Sequence, residues 1–149
     1  MKVGGKSMVH VIALCLVAVA IAAPAAAEIA TIKRVAGIAS VQRAKTMLPA
    51  QPGTRLDAGD TLVTGKGGRI AVTFIDNARF SVGPNSRIAL TRFEFDDATH
   101  KGRFETKVER GTLAVISGEI AHENPKGMTL QTPTSVLGIR GTRFVVNVK

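Results

Sequence analysis

Apolar and polar positions alternate along much of the chain from residue 69 onward. In 69–75, Ile70, Val72 and Phe74 fall on one face of an extended strand. Asp76-Asn77 then reads as a tight turn, because Asn and Asp tolerate positive φ. Phe80 and Val82 continue the pattern, Gly83-Pro84-Asn85-Ser86 turns, and Ile88 and Leu90 resume it. Phe104, Thr106 and Val108 alternate up to a turn at Arg110-Gly111. Leu113 and Val115 lead to a turn at Ser117-Gly118. Met128 and Leu130 mark a short strand that stops at Pro133, and Phe144, Val146 and Val148 mark the last one. Turn signals thus recur about every 6–17 residues, and Gly or Pro breaks every window of about eleven that starts a 3.6-residue period. The pattern predicts an all-β sandwich, barrel or solenoid of many short strands. The polar stretch 96–102 is the expected long loop. No fixed-period repeat, linker or second domain is visible, so residues 28–149 read as one β-domain.

The first 27 residues follow a different pattern. Lys2 and Lys6 precede 13 apolar residues, 11–23, and then Pro24 and Ala25-Ala26-Ala27-Glu28. A basic start, an apolar run and a small-residue A-x-A site make a secretory signal peptide, with Ala25 and Ala27 at the cleavage site and Glu28 as the mature start. The run is short of the roughly 20 apolar residues that span a bilayer, although an uncleaved anchor over 8–27 is the alternative. Cys15 lies inside this run after Leu14, which is not a lipoprotein arrangement. Gly5-Lys6-Ser7 lacks the earlier glycine of a phosphate loop. A periplasmic or extracellular location in a bacterium is the expectation.

Composition agrees with strands. Residues 28–149 hold 34 Val, Ile or Thr against 7 Leu, and branched Cβ atoms suit a pleated sheet. The whole chain carries 20 Lys+Arg and 11 Asp+Glu, a formal charge of +9; removing Lys2 and Lys6 leaves +7. Such a charge attracts an acidic protein, lipopolysaccharide or a teichoic-type polymer. Nucleic acid is not the expected partner, because the basic residues are dispersed among acids. All six aromatics are Phe. Phe74, Phe80, Phe104 and Phe144 fall on core faces, and Phe93 and Phe95 read as core or half-buried. The absence of Tyr and Trp weakens a sugar-binding reading.

Catalytic chemistry has little to work with. His100 and His122 are the histidines of the mature chain, and neither lies near a nucleophile motif; both read as loop histidines. With no cysteine after residue 27, they give no metal-ligand spacing. Asp57 and Asp60 around Gly59, and Asp96-Asp97, read as turn and capping residues. Gly65-Lys66-Gly67-Gly68-Arg69 feeds a strand instead of a helix, so it reads as a hairpin turn and not a phosphate cradle. No catalytic, cofactor or metal residue is expected, and no small-molecule substrate is evident.

Four segments in order carry a resemblance. They are Gly59-Asp60-Thr61-Leu62-Val63-Thr64; residues 74–86, ending in Gly83-Pro84-Asn85-Ser86; Glu109-Arg110-Gly111-Thr112-Leu113 with 115–118; and residues 132–144. Between Gly53 and Val146 the chain resembles the FecR domain, a family named for a periplasmic regulator of iron-citrate uptake. The last segment is the closest match, to the pattern TP-x-A/S-x-x-G-I/V-R-G-T-x-F, met here by Thr132, Pro133, Gly138, Ile139, Arg140, Gly141, Thr142 and Phe144. The resemblance implies a solenoid-like or sandwich-like β-domain that is a protein-interaction module and not an enzyme. In the regulators that domain relays a signal from an outer-membrane transporter to a cytoplasmic sigma factor. Their anti-sigma segment and further periplasmic module are not expected here, so the sigma role does not carry over whole. What carries over is the domain, its compartment and binding of another envelope protein. A structural or anionic-polymer-binding module, and a regulator anchored by an uncleaved signal, are the alternatives; a membrane contact is expected only in the last.

Within the signature, Pro133 pushes Thr132 into extended geometry and ends a strand. Gly138 and Gly141 are expected at bends where φ is positive or a Cβ would clash. Arg140 faces a partner or clamps backbone carbonyls near the bend; its five donors make the clamp the expected reading.

Overall fold

The computed structural model describes residues 26–141 and 143–149. Most of the signal-peptide reading, including Ala25, lies outside them, as does Thr142. The chain is all-β, as its alternation predicts, with one short helix among the described residues. The strands are β1 (Glu28–Ala36), β2 (Ala39–Arg43), β3 (Thr46–Pro49), β4 (Arg55–Asp57), β5 (Thr61–Thr64), β6 (Arg69–Phe74), β7 (Arg79–Val82), β8 (Arg87–Phe95), β9 (Gly102–Ile116), β10 (Met128–Gln131), β11 (Val136–Ile139) and β12 (Arg143–Val148). Helix α1 (Glu119–Glu123) lies between β9 and β10.

One long strand joins two half-sheets. The first half-sheet runs β4-β1-β6-β7 and then the C-terminal part of β9, with β12 on that strand's other side. The second runs β3-β2-β5-β8 and then the N-terminal part of β9, with β10 and β11 beyond. Inward side chains of both halves form one core. Phe74 and Phe80 of the first half meet Phe104 of the second at centroid distances of 4.6 and 5.3 Å. Each such ring pair contributes about 0.5–1.5 kcal/mol beyond burial. Phe93 packs in the same cluster, 4.9 Å from Phe104.

Four crossings between the half-sheets meet at one corner: residues 37–38, 65–68, 83–86, and the middle of β9. Two hydroxyls stitch it. Thr64 Oγ1 donates to the Gly83 carbonyl at 2.6 Å and accepts from the Ser86 N–H at 2.9 Å. Ser86 Oγ accepts from the Thr112 N–H at 3.0 Å. The Gly65 N–H donates to the Ile38 carbonyl, and the Asn85 N–H to that of Gly65. The corner has no room for extra atoms. A Cβ on Gly68 would strike the Ile38 carbonyl, and one on Gly111, at φ +89°, would strike Ser86.

Three expected turns therefore take another form. Arg110-Gly111 is not a turn; β9 passes straight through it, and Gly111 bends the strand from one half-sheet into the other. Residues 65–68 do not close a hairpin, because β5 and β6 lie in different half-sheets and have other partners. Ser117-Gly118 leads into α1, which carries His122, expected in a loop. A five-residue helix is too short to print a 3.6-residue period. Strand β1 carried no clear alternation, since one register shift places Ile29 and Ala30 both inward and a second falls between Ile32 and Arg34.

Two carboxylates anchor the periphery. Asp60, in the expected 57–60 turn, is buried and accepts both Arg43 Nε at 2.9 Å and Nη2 at 2.7 Å, while Arg43 Nη1 reaches Asp57 at 3.1 Å. These contacts raise the Arg43 pKa and keep it charged. Asp76 sits beneath α1. Its Oδ1 accepts from the Ala78 N–H at 3.1 Å, while Oδ2 has no hydrogen-bond partner among the described residues. Burial pushes its carboxyl above the usual range, with nearby Glu119 adding to the effect.

Gly111→Ala is expected to lower unfolding stability by at least about 2 kcal/mol in a denaturant titration, through φ strain and overpacking. An unchanged midpoint would contradict the packing of Ser86 against Gly111. For Asp76 the folded state holds its proton more tightly than the unfolded chain. Stability attached to this group is full below the ordinary carboxylate range and is lost as pH rises through the raised value. Denaturation curves across pH should show that loss in the native chain and not in Asp76→Asn.

Candidate functional site

Alternation that buries one face of the first half-sheet exposes the other. The outward positions are Arg34 on β1, Ala71 and Thr73 on β6, Arg79 and Ser81 on β7, Ala114 and Ile116 on β9, and Arg143 and Val145 on β12. Cross-strand pairing aligns them in rows. One row reads Arg34, Ala71, Ser81, Ala114, Val145, and the next reads Thr73, Arg79, Ile116, Arg143. The centre of the first row is short side chains, so the face is hollow there. A groove of about 430 Å³ and one of about 570 Å³ share Ala71 and Ser81 and form one trough.

The rim of this trough is basic. Lys33, Arg34, Arg69, Arg79 and Arg143 line it, and no carboxylate does. Among the described residues Lys33, Arg34, Arg69 and Arg79 make no ion pair. Several arginines elsewhere are matched: Arg87 with Glu109 at 2.6 Å, Arg92 with Glu94 at 2.8 Å, and Arg43 with Asp60 at 2.7 Å. The outer face of the first half-sheet therefore carries an excess of positive charge around the trough. A solvated trough of one sign raises the local concentration of an oppositely charged partner.

Of these residues the sequence pattern marks Arg69, at the end of the basic glycine-rich loop, but not Lys33, Arg34, Ala71 or Ala114. The available signal was the outward set of the same alternation: Ala71, Ser81 and Ala114 stand where a solvated sheet face usually carries long polar side chains.

Of the described signature residues Phe144 lines the trough, and the others lie elsewhere. Ala27 is exposed and Glu28 is the first residue of β1. Thr132, Pro133, Thr134 and Ser135 close the β10–β11 hairpin, where the Thr132 N–H donates to the Ser135 carbonyl at 2.8 Å. Pro133 follows the end of β10, as read. Gly141 has φ +44°, and a Cβ there would press on the His122 ring. Two expectations fail. Gly138 makes no bend; it lies within β11 with open space where a Cβ would stand. Arg140 clamps no carbonyl; it is exposed and makes no hydrogen bond among the described residues. Both follow from β11 being an edge strand, paired with β10 alone. Ile139 is buried and Phe144 half-buried, both against the core.

The histidines stay apart. His100, in the loop after β8 as expected, places Nδ1 3.3 Å from Glu119 Oε2 and so ties that loop to α1. His122 is exposed on α1. Among the described residues no group of three His, Cys, Asp or Glu is placed to hold a metal ion.

No curated protein and no solved structure matches the chain. The family model described as FecR protein matches residues 60–149. That span covers the corner residues Thr64, Ser86, Gly111 and Thr112, the β6, β7, β9 and β12 parts of the trough, and the whole signature hairpin. The chain belongs to the FecR family.

Proposed function

We propose that this chain is an exported, non-catalytic FecR-domain module that binds another envelope protein through the basic trough, in signalling or assembly. The observation that carries the reading is the trough itself, where Lys33, Arg34, Arg69 and Arg79 stand unmatched around a floor of Ala71, Ser81 and Ala114. Short side chains let a partner approach the sheet closely, and unmatched cations select an acidic one. Family membership ties the chain to envelope signalling. Export rests on the signal-peptide pattern of residues 1–27.

The unmatched cations also support a second reading, a module that binds an anionic surface polymer. Such binding rests on charge alone and fades as salt shortens the screening length to about 8 Å and below. A protein seated in the trough adds packing that salt does not remove.

A photo-crosslinking residue placed at Ser81 in growing cells tests both. The protein reading predicts one discrete protein adduct that disappears in the Arg34→Glu, Arg69→Glu double variant. A broad polymer smear would favour the second reading, and no adduct at all would contradict both. Intact mass of the recovered protein is expected to begin at Glu28 in the soluble periplasmic fraction. A full-length, membrane-bound species would instead support the anchored-regulator reading.

A further inference from the structure

Among the described residues strand β12 is paired on one side alone, and the pairing fixes the direction of its backbone groups. The Gly83 N–H donates to the Thr112 carbonyl at 2.9 Å, so Thr112, Ala114 and Ile116 turn their backbone groups toward β7. In an antiparallel ladder this direction alternates. Gly111, Leu113 and Val115 therefore bond to β12, through Val148, Val146 and Phe144. The N–H and C=O groups of Val145 and Asn147 point the other way, to the open edge.

This edge carries a charge at Arg143, and the β10–β11 hairpin tip lines a groove with residues 146–149, but other usual protections are missing among the described residues. It runs six residues with no proline, and its ladder to β9 carries no register shift. Val145 is 67% exposed. The core beneath is thin: Phe144, Val146 and Val148 are only half-buried, whereas Ile70, Val72, Phe80, Val82, Leu113 and Val115 are all 2% exposed or less. One more strand would cover that inner row. On the outer face, Arg143 and Arg79 flank Ile116 on one rung, and among the described residues no carboxylate lines the groove there.

We infer that the free edge of β12 takes up an extended acidic segment of the partner by strand addition. Alternate apolar side chains of that segment cover Phe144 and Val146, and its carboxylates lie outward beside the arginines. Backbone hydrogen bonds hold the segment, and the alternating side chains give specificity. The inference deepens the protein-binding reading and rests on it. A second copy of this chain suits the edge less well, because it would bring a chain of formal charge +9, or +7 without Lys2 and Lys6, against basic residues.

A fluorescent seven-residue peptide alternating valine and aspartate is the probe, with a valine–lysine peptide as control. Fluorescence anisotropy with the exported protein is expected to register the acidic peptide, and the lysine peptide at least about tenfold more weakly. Val145→Pro removes an N–H that β9 does not use and should weaken binding by at least about tenfold. Val145→Thr keeps that N–H and should bind like the native chain. Hydrogen exchange guards against a misfolded proline variant: in the native protein the peptide should slow the Val145 and Asn147 amides. No binding of the acidic peptide, or equal binding by folded Val145→Pro, overturns the inference. So does concentration-dependent dimerisation that Val145→Pro abolishes, which would give the edge to a second copy. If Val145→Pro retains the Ser81 adduct in cells, strand addition fails while the protein-binding reading stands.

Discussion

The side-chain hydroxyls of Thr64 and Ser86 hold this fold at its most demanding point. Where strands leave one half-sheet for the other, the regular ladder is interrupted and backbone groups need other partners. Thr64 Oγ1 serves Gly83 and Ser86, and Ser86 Oγ serves Thr112. Each buried group left unpaired would cost about 1–3 kcal/mol, so losing one hydroxyl is expensive in a domain of ordinary marginal stability. Glycine is required beside them for a steric reason: the backbone at Gly68 and Gly111 runs against a carbonyl and a serine side chain.

The corner also determines what the outer surface offers. By sending β9 through Gly111 into the first half-sheet, it places Ala114 beside Ser81 and, through β12, Arg143 beside Ile116. The Ala114 and Arg143 side of the trough thus depends on a contact made at the corner. Lys33, Arg34, Arg69 and Arg79, with no ion pair among the described residues, make the outer face of the first half-sheet positive. One strand, shared between halves, links stability at the corner to charge and shape at the trough.

Much of the core was legible in the sequence. Ile70, Val72 and Phe74, then Phe80 and Val82, then Ile88 and Leu90, alternate cleanly because their strands are regular and have one wet face. Gly111 was not legible as a bend. A glycine between two alternating runs looks the same whether it turns the chain back or tilts a continuous strand. What decides is Ser86 packed against it, 25 positions earlier. Helix α1 escaped notice because five residues hold little more than one turn. In the signature, Pro133 and Gly141 were read correctly from local backbone chemistry. Gly138 and Arg140 were not, since their exposure comes from the absence of a described strand beyond β11. The trough was missed because alternation was used to find the inward face, and the outward one is informative through its small residues.

Native-state hydrogen exchange on the free protein tests this account most directly. The amides of Ser86 and Thr112 should exchange only through global unfolding, at the slowest rates in the chain, while those of Val145 and Asn147 exchange as freely as loop amides. That result would place a rigid corner and an open edge in one molecule. Fast exchange at Ser86 and Thr112, or strong protection at Val145 and Asn147, would contradict it.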